Sequence, residues 1–173
     1  NQEAAYSGVT HLIDTGCRKI LFLGGPKGVY TTGERLKGYR QALREAEIPF
    51  QKEYITYGAY STASGYERVR HIIEAYPETD AIFAGADTIA IGVLRALREL
   101  NIPVPGQVSV LGFDNIMLSA DLTPALTTVA QPIYEMGYRA ARKLLALIGG
   151  DPEGAKSECM STTLVQREST RSR

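Results

Sequence analysis

Short apolar runs, rich in β-branched and aromatic residues, alternate along this chain with amphipathic segments. The runs lie at residues 19–23, 54–57, 80–84 and 107–111, and each is typical of a strand buried on both faces. Helical patterns fill the intervals at residues 32–46, 61–75 and 88–100. Because strand–helix–strand crossovers are right-handed, this repeated unit predicts an α/β fold: a doubly wound parallel sheet with helices on both faces.

Further elements flank this repeat. Apolar residues at helical spacing predict a helix at residues 3–15, so the chain begins on a helix rather than on a strand. A second amphipathic helix is predicted at residues 132–148, and the polar run at residues 161–165 is typical of an edge strand. We expect the charged tail, residues 167–173, to be frayed.

Composition excludes several classes of function. The chain of 173 residues carries 19 Lys and Arg against 19 Asp and Glu, which does not indicate a basic surface for nucleic acid. Two distant cysteines, Cys17 and Cys159, favour a reducing cytoplasm over a disulfide scaffold. No metal-ligand spacing, cofactor motif, leader pattern or membrane-length apolar run occurs, so we predict no metal, no cofactor and no membrane partner.

The turns after the predicted strands are where a ligand would bind, because open α/β sheets bind ligands beyond the carboxyl ends of their strands. The first turn, residues 24–28, is glycine-rich but matches neither phosphate-binding motif, so a flexible turn is favoured over a nucleotide site. Asp87 follows the third strand and is interpreted, on its own, as the N-cap of the next helix. Asp114 follows the fourth strand, where a turn-stabilising role and a ligand-facing role are equally consistent with the pattern.

Two other residues near these turns have plain interpretations from spacing alone. Arg35 lies near the start of a helix beside Glu34 and is typical of a solvated surface charge. Tyr60 is typical of boundary packing. No Ser/His/Asp set can be assembled at the strand ends and no GxSxG turn occurs, so the chain is not predicted to be an enzyme. An α/β enzyme with Asp87 or Asp114 as general base remains a minor alternative.

The chain resembles the effector-binding region of lactose/galactose-repressor (LacI/GalR) type transcription regulators. The most specific matches are VSVLGFDN at residues 108–115 and LTPALTTVAQP at residues 122–132. Weaker matches extend the resemblance over essentially the whole chain, at residues 4–16, 18–20, 23–26, 34–39, 64–66, 137, 140–141 and 167–169.

The resemblance implies a periplasmic-binding-protein type I fold, in which two α/β lobes close on a small ligand. It implies that residues 1–120 form the C-terminal lobe. Residues 121–155 would be a crossing segment and a helix of a mostly absent N-terminal lobe, and residues 156–173 would return to the C-terminal lobe. It also implies that the DNA-binding helix-turn-helix headpiece precedes Asn1.

The resemblance also changes the interpretation of the strand-end residues. It places Arg35, Tyr60, Asp87, Asp114, Gln131 and Ile133 in the ligand site. A guanidinium and a carboxylate can together hold a vicinal diol, and an aromatic ring can stack on the apolar face of a ligand. Ala86 departs from the Asn or Ser that the family commonly has before the aspartate, which removes one side-chain hydrogen bond.

The expected function is therefore effector sensing in a cytoplasmic transcription regulator. Its expected partners are a sugar or related metabolite, DNA through the headpiece alone, and a second copy of the chain in a homodimer. A solute-binding protein of a transport system shares the fold and is the alternative; an upstream leader would favour that alternative. The apolar face of the helix at residues 132–148 is expected to dock on another chain or on a neighbouring helix.

Overall fold

Strands and helices alternate along the chain in the computed structural model, which describes residues 1–151 and 156–172. The α-helices are α1 (Gln2–Asp14), α2 (Tyr30–Glu45), α3 (Thr62–Ala75), α4 (Asp87–Glu99) and α5 (Ile133–Ile148). The strands are β1 (Ile20–Gly24), β2 (Ile55–Tyr57), β3 (Ala81–Ala84), β4 (Ser109–Asp114), β5 (Thr127–Ala130) and β6 (Thr163–Val165). A 3-10 turn at Met117–Ala120, the 117–120 turn, follows β4.

The strands form one sheet in the order β2-β1-β3-β4-β5-β6. The first five are parallel, and β6 pairs antiparallel with β5 at the edge. This arrangement confirms the predicted α/β class and the mostly parallel sheet. Because the five strands run the same way, the turns after β1, β3, β4 and β5 lie side by side along the carboxyl edge of the sheet, the edge formed by the strand ends. Side chains from distant parts of the sequence can converge there.

Two hydrophobic layers cover the sheet, because successive strand residues point to opposite faces. On one face, Leu21, Leu23 and Ile82 pack with the apolar stripes of α3 and α4. On the other face, Phe22 and Phe83 pack with α1 and α2. Both layers are closed to water, which explains why the central strands are continuous apolar runs rather than alternating ones.

The helices of the first layer approach each other closely through two glycines. A Cβ on Gly65 of α3 would lie 2.2 Å from the carbonyl oxygen of Ile89, and a Cβ on Gly92 of α4 would lie 2.0 Å from that of Thr62. Only glycine permits these contacts. They fix the N-terminal ends of α3 and α4 together beside the edge of the sheet where the strand turns meet.

Two expectations from the sequence are wrong, and one strand was missed. β2 is half-buried or exposed rather than buried on both faces, because it is an edge strand with one neighbour. β5 is a strand that periodicity did not reveal, since its four residues are two threonines followed by Val129 and Ala130, which is neither an apolar run nor an alternating pattern. The tail is not frayed: the hydroxyl of Ser169 is fully buried, accepts from the Thr127 amide at 2.8 Å and donates to the Val110 carbonyl at 2.6 Å.

α5 differs from the other helices because none of its residues is buried. Arg139 and Lys143 of α5 pair with Glu158, and the helix carries exposed apolar side chains, Leu144, Leu145, Leu147 and Ile148 among them. The predicted domain boundary at residue 155 and the last residue of the tail lie outside the described residues. No helix in residues 1–151 and 156–172 is long and apolar enough to cross a membrane.

Candidate functional site

Arg35 lies at the centre of the edge where the strand turns meet. α2 begins at Tyr30, so the side chain of Arg35 projects from the second turn of the helix over the ends of β3 and β4. Its guanidinium donates to the Gly85 carbonyl and, at 3.0 Å, to Oδ1 of Asn1, and its Cζ stacks 3.8 Å from the centre of the Phe113 ring. The residue is 5% exposed, so its interpretation as a solvated surface charge is wrong.

Asp114 completes an ion pair with this arginine. One Nη of Arg35 lies 3.4 Å from Oδ1 of Asp114, and Nε2 of Gln131 donates to the same oxygen at 2.7 Å. The Asp114 side chain keeps 23% of its surface exposed. Among residues 1–151 and 156–172, both of these side-chain donors bond Oδ1, which leaves Oδ2 for a hydroxyl or amine of a ligand.

Burial and mutual attraction shift the pKa values of Arg35 and Asp114 in opposing ways. Burial lowers the pKa of Arg35 below its ordinary value, and the Asp114 carboxylate opposes that shift. Burial likewise raises the pKa of Asp114, while the nearby guanidinium of Arg35 and the hydrogen bond from Gln131 oppose the rise. A new hydrogen-bond donor would stabilise such a carboxylate, because burial has removed water that the donors of the protein do not fully replace.

Tyr60 forms a wall beside the pair. A Cβ on Gly25 would lie 2.0 Å from Cζ of the Tyr60 ring, so the ring rests on the backbone of the glycine-rich turn. Its hydroxyl lies 2.7 Å from Oγ1 of Thr32, which is one helical turn before Arg35 on α2. The residue is 36% exposed, so it combines boundary packing with surface that a ligand can reach.

Asp87 is the predicted site residue with the most different surroundings. α4 begins at Asp87 itself, Ala86 is the N-cap, and no side chain caps the helix, so the N-cap interpretation is wrong. The carboxylate is fully buried and accepts hydrogen bonds from the hydroxyls of Thr128 and Ser119 and from the Ile116 amide. Asp87 is therefore bonded within the fold, whereas the Asp114 side chain keeps 23% of its surface exposed.

Gln131 and Ile133 come from the segment that leaves the sheet. The Gln131 amide donates to the Asp114 carbonyl at 3.4 Å, which extends the β4–β5 ladder by one bond, and its side chain turns back onto the Asp114 carboxylate. Ile133 begins α5 and is 53% exposed. The structure thus joins Arg35, Asp114 and Gln131 by direct contact, and it leaves Ile133 exposed at the start of the departing helix.

Sequence reasoning missed Arg68 of α3. Its guanidinium donates to the Gly24 carbonyl at 2.8 Å and to its own helix at the Ser64 carbonyl, while its second Nη is buried without a partner in the described residues. Burial lowers the pKa of Arg68. The residue ties α3 to the turn after β1, behind Gly25 and Tyr60. Helical spacing alone does not reveal it, because an arginine on α3 has the same pattern whether it points outward or under the sheet edge.

The arrangement suits recognition of a polar small molecule better than catalysis. An arginine fork, a partly exposed carboxylate, a glutamine amide and an aromatic face can together satisfy hydroxyl groups and an apolar ring face. In residues 1–151 and 156–172, no group of three His, Cys, Asp or Glu side chains is placed to hold a metal ion.

Comparison with known proteins identifies the fold family. The family described as the periplasmic binding protein-like domain matches residues 9–170. The chain belongs to this family. The resemblance to LacI-type regulators is also confirmed: the structure superposes with a TM-score of 0.94 on a putative transcriptional regulator LacI from Bacillus cereus subsp. cytotoxis, at 34% identity over 99% of this chain and 61% of that one.

Two further relatives carry informative names. The transcriptional repressor CytR of Escherichia coli K12 is 34% identical to this chain, and the match covers 99% of this chain and 50% of CytR. A complex of the transcriptional regulator CelR with cellobiose superposes with a TM-score of 0.89, at 32% identity over 97% of this chain and 51% of that one. The chain spans about half the length of the curated relatives it matches, from 43% to 50%.

Proposed function

We propose that this chain is the effector-sensing part of a LacI/GalR-type transcription regulator, and that it binds a sugar or a related small metabolite. The observation that carries the proposal is the contact of Arg35, Asp114 and Gln131 at the carboxyl edge of a parallel sheet. Donor and acceptor groups are paired there in the way that recognition of a diol requires, with the ring of Tyr60 beside them. Gln131 and Ile133 would contribute from the departing segment.

The site is proposed to lie in a cleft between two lobes. Residues 1–120 would form one lobe, residues 121–155 would cross into a second lobe, and residues 156–173 would return. The lack of buried residues on α5 supports this division, because an amphipathic helix with an exposed apolar face requires a partner surface. That surface would belong to the second lobe or to another chain.

Ligand sensing would work as a population shift. A ligand that contacts both lobes binds one closure angle better than another, and only this difference in affinity can move the equilibrium. The closure angle would then change DNA binding by a helix-turn-helix headpiece. We further propose that the regulator acts in the cytoplasm as a homodimer and has no enzymatic activity.

The alternative function, a transport solute-binding protein, shares this fold but is not favoured. The curated relatives named above and the superposed structures are transcription regulators or repressors. Residue 86 is an alanine in this chain, so the ligand is expected to make fewer side-chain hydrogen bonds after β3 than in a typical family member.

A calorimetric ligand panel tests the proposal. The whole gene product would be titrated with cellobiose, D-ribose, adenosine and guanine, with Tyr60→Ala as the matched variant that keeps the ion pair but lacks the ring. Heat from at least one of these ligands, reduced in the variant, is the expected result. Silence with all sugars and purines would reject the assignment, as would binding that is the same in both proteins.

A further inference from the structure

Asp87 has a carboxylate that serves three parts of the chain at once. Its Oδ1 accepts from the Thr128 hydroxyl of β5 at 2.6 Å. Its Oδ2 accepts from the Ser119 hydroxyl of the 117–120 turn at 2.6 Å and from the Ile116 amide at 2.9 Å. Three donors from the protein share one fully buried carboxylate, so most of its acceptor positions are already used within the fold.

The turn that these donors surround is conformationally unusual. Asp114 has a φ of 116° and Asn115 a φ of 56°, so two consecutive residues other than glycine are in the left-handed region. Such conformations cost energy and persist only where neighbouring contacts hold them. The contacts that hold this turn are therefore what set the direction of the Asp114 side chain.

The turn is held from two sides. On the outer side, a guanidinium nitrogen of Arg167 donates to Oδ1 of Asn115 at 2.9 Å. On the inner side, the Asn115 amide donates to the hydroxyl oxygen of Thr128 at 3.4 Å, and that hydroxyl donates onward to Asp87. Thr128 is thus both donor and acceptor, and it links the buried carboxylate to the residue directly after Asp114.

Close packing keeps this link short. A Cβ on Gly112 of β4 would lie 2.2 Å from Oδ1 of Asp87, so only a glycine allows β4 to pass this near to the carboxylate. Gly112 is two residues before Asp114 on the same strand. The carboxylate is therefore placed against the strand, the turn and β5 together.

We infer that Asp87 is a positioning residue: acting through Thr128, it fixes the left-handed Asp114–Asn115 turn and so holds the Asp114 carboxylate toward Arg35 and Gln131. It does this as a fully buried group, without touching the ligand. The inference about geometry stands by itself, and only its consequence for ligand affinity rests on the proposed function.

The test compares two hydroxyl deletions that remove one donor each from the same carboxylate. Thr128→Val breaks the link between Asp87 and Asn115, while Ser119→Ala removes a donor that does not contact that residue. Both side chains are fully buried, which makes the pair a matched comparison. The readouts are the ¹³C resonance of the Asp114 carboxyl and the hydrogen exchange of the Asn115 amide, neither of which requires a ligand.

In Thr128→Val we expect the Asp114 carboxyl resonance to move and the Asn115 amide to exchange at least about tenfold faster. In Ser119→Ala both readouts should stay as in the parent protein. Equal effects of the two variants, or no effect of Thr128→Val, would overturn the inference and leave Asp87 as a general stabiliser of the lobe.

A second comparison guards against loss of folding. Thr128→Ser keeps the hydroxyl and should restore both readouts, whereas Thr128→Ala should not. Failure of Thr128→Ser to differ from Thr128→Ala would also overturn the inference. Because these spectra are recorded without ligand, a negative result here does not reject the proposed function, and a silent ligand panel does not reject the positioning role.

Discussion

Arg35 is nearly fully buried, so its removal should cost stability as well as ligand binding. In Arg35→Ala, the Gly85 carbonyl loses its charged donor, the Asp114 carboxylate loses its counter-charge, and the stack on Phe113 disappears. An arginine exposed on the same helix, Arg40, stacks on Phe50 at 4.4 Å and provides the matched control.

The contributions set the expected size of the effect. Breaking a fully buried ion pair costs about 3–5 kcal/mol. Asp114 keeps 23% of its side chain exposed and can take up water, so part of that cost is recovered. We expect Arg35→Ala to lower the free energy of unfolding by about 2–4 kcal/mol. For Arg40→Ala the loss should stay below about 1 kcal/mol, since an exposed cation–π contact contributes little.

The loss should also depend on pH. Burial raises the pKa of Asp114 in the folded state, and Arg35 holds the rise down. A raised folded pKa contributes stability that is present below the unfolded pKa of Asp and is lost as pH rises through the folded value. Without Arg35 the folded pKa rises further, so the deficit of Arg35→Ala should be smaller at acidic pH than at neutral pH.

Urea denaturation followed by circular dichroism measures both effects, since the chain contains no tryptophan. Unfolding curves at several pH values for the parent, Arg35→Ala and Arg40→Ala give the differences directly. If Arg35→Ala lost no more stability than Arg40→Ala, or if its deficit were the same at every pH, the guanidinium would not be buried against Asp114 as described.

Three further substitutions test the fold around the site. Gly65→Ala should destabilise the chain by at least about 2 kcal/mol in thermal unfolding, because the added Cβ would meet the Ile89 carbonyl. Gly33→Ala, on the open face of α2, should stabilise the chain by about 0.5–1 kcal/mol. The reverse order of stabilities would contradict the α3–α4 packing. Ser169→Ala should lower the free energy of unfolding by about 1–3 kcal/mol, since it leaves the Thr127 amide without its acceptor and the Val110 carbonyl without one of its donors. Ser172→Ala, at an exposed serine, should leave the stability unchanged. Equal stabilities of the two variants would indicate that the tail is frayed. Tyr60→Phe should lose up to about 1 kcal/mol of stability with its bond to Thr32 but keep ligand affinity, and a large loss of calorimetric affinity would show that the hydroxyl, not the ring, contacts the ligand.

The central fold could be predicted from the sequence because its strands are buried on both faces. Runs such as the one containing Phe22 and Leu23 leave few alternatives, and the helices between them have clear apolar stripes. β5 could not be found in this way, because Thr127 and Thr128 serve buried hydrogen bonds with Ser169 and Asp87 rather than an apolar pattern.

Spacing alone did not indicate Arg35 or Asp87 as candidate site residues, and only the family resemblance did. On spacing alone Arg35 was a surface charge and Asp87 an N-cap, and both interpretations failed because tertiary contacts bury the two side chains. Which of two aspartates faces the open edge depends on the backbone of the Asp114–Asn115 turn and on donors from β5. Those contacts join residues 13 positions apart, as Asn115 and Thr128 are, or 29 apart, as Asp87 and Ile116 are, so local patterns do not contain them.

The most direct test of the account is a calorimetric titration of Asp114→Asn with whichever compound of the panel the parent protein binds. The introduced carboxamide would keep an acceptor for Gln131 but lose the charge opposite Arg35. We expect affinity to fall at least about tenfold, which corresponds to the loss of a charge-assisted hydrogen bond. Asp121→Asn, at an exposed aspartate a few residues along the chain, should bind as the parent does. Unchanged affinity in a folded Asp114→Asn would contradict the claim that this carboxylate holds the ligand.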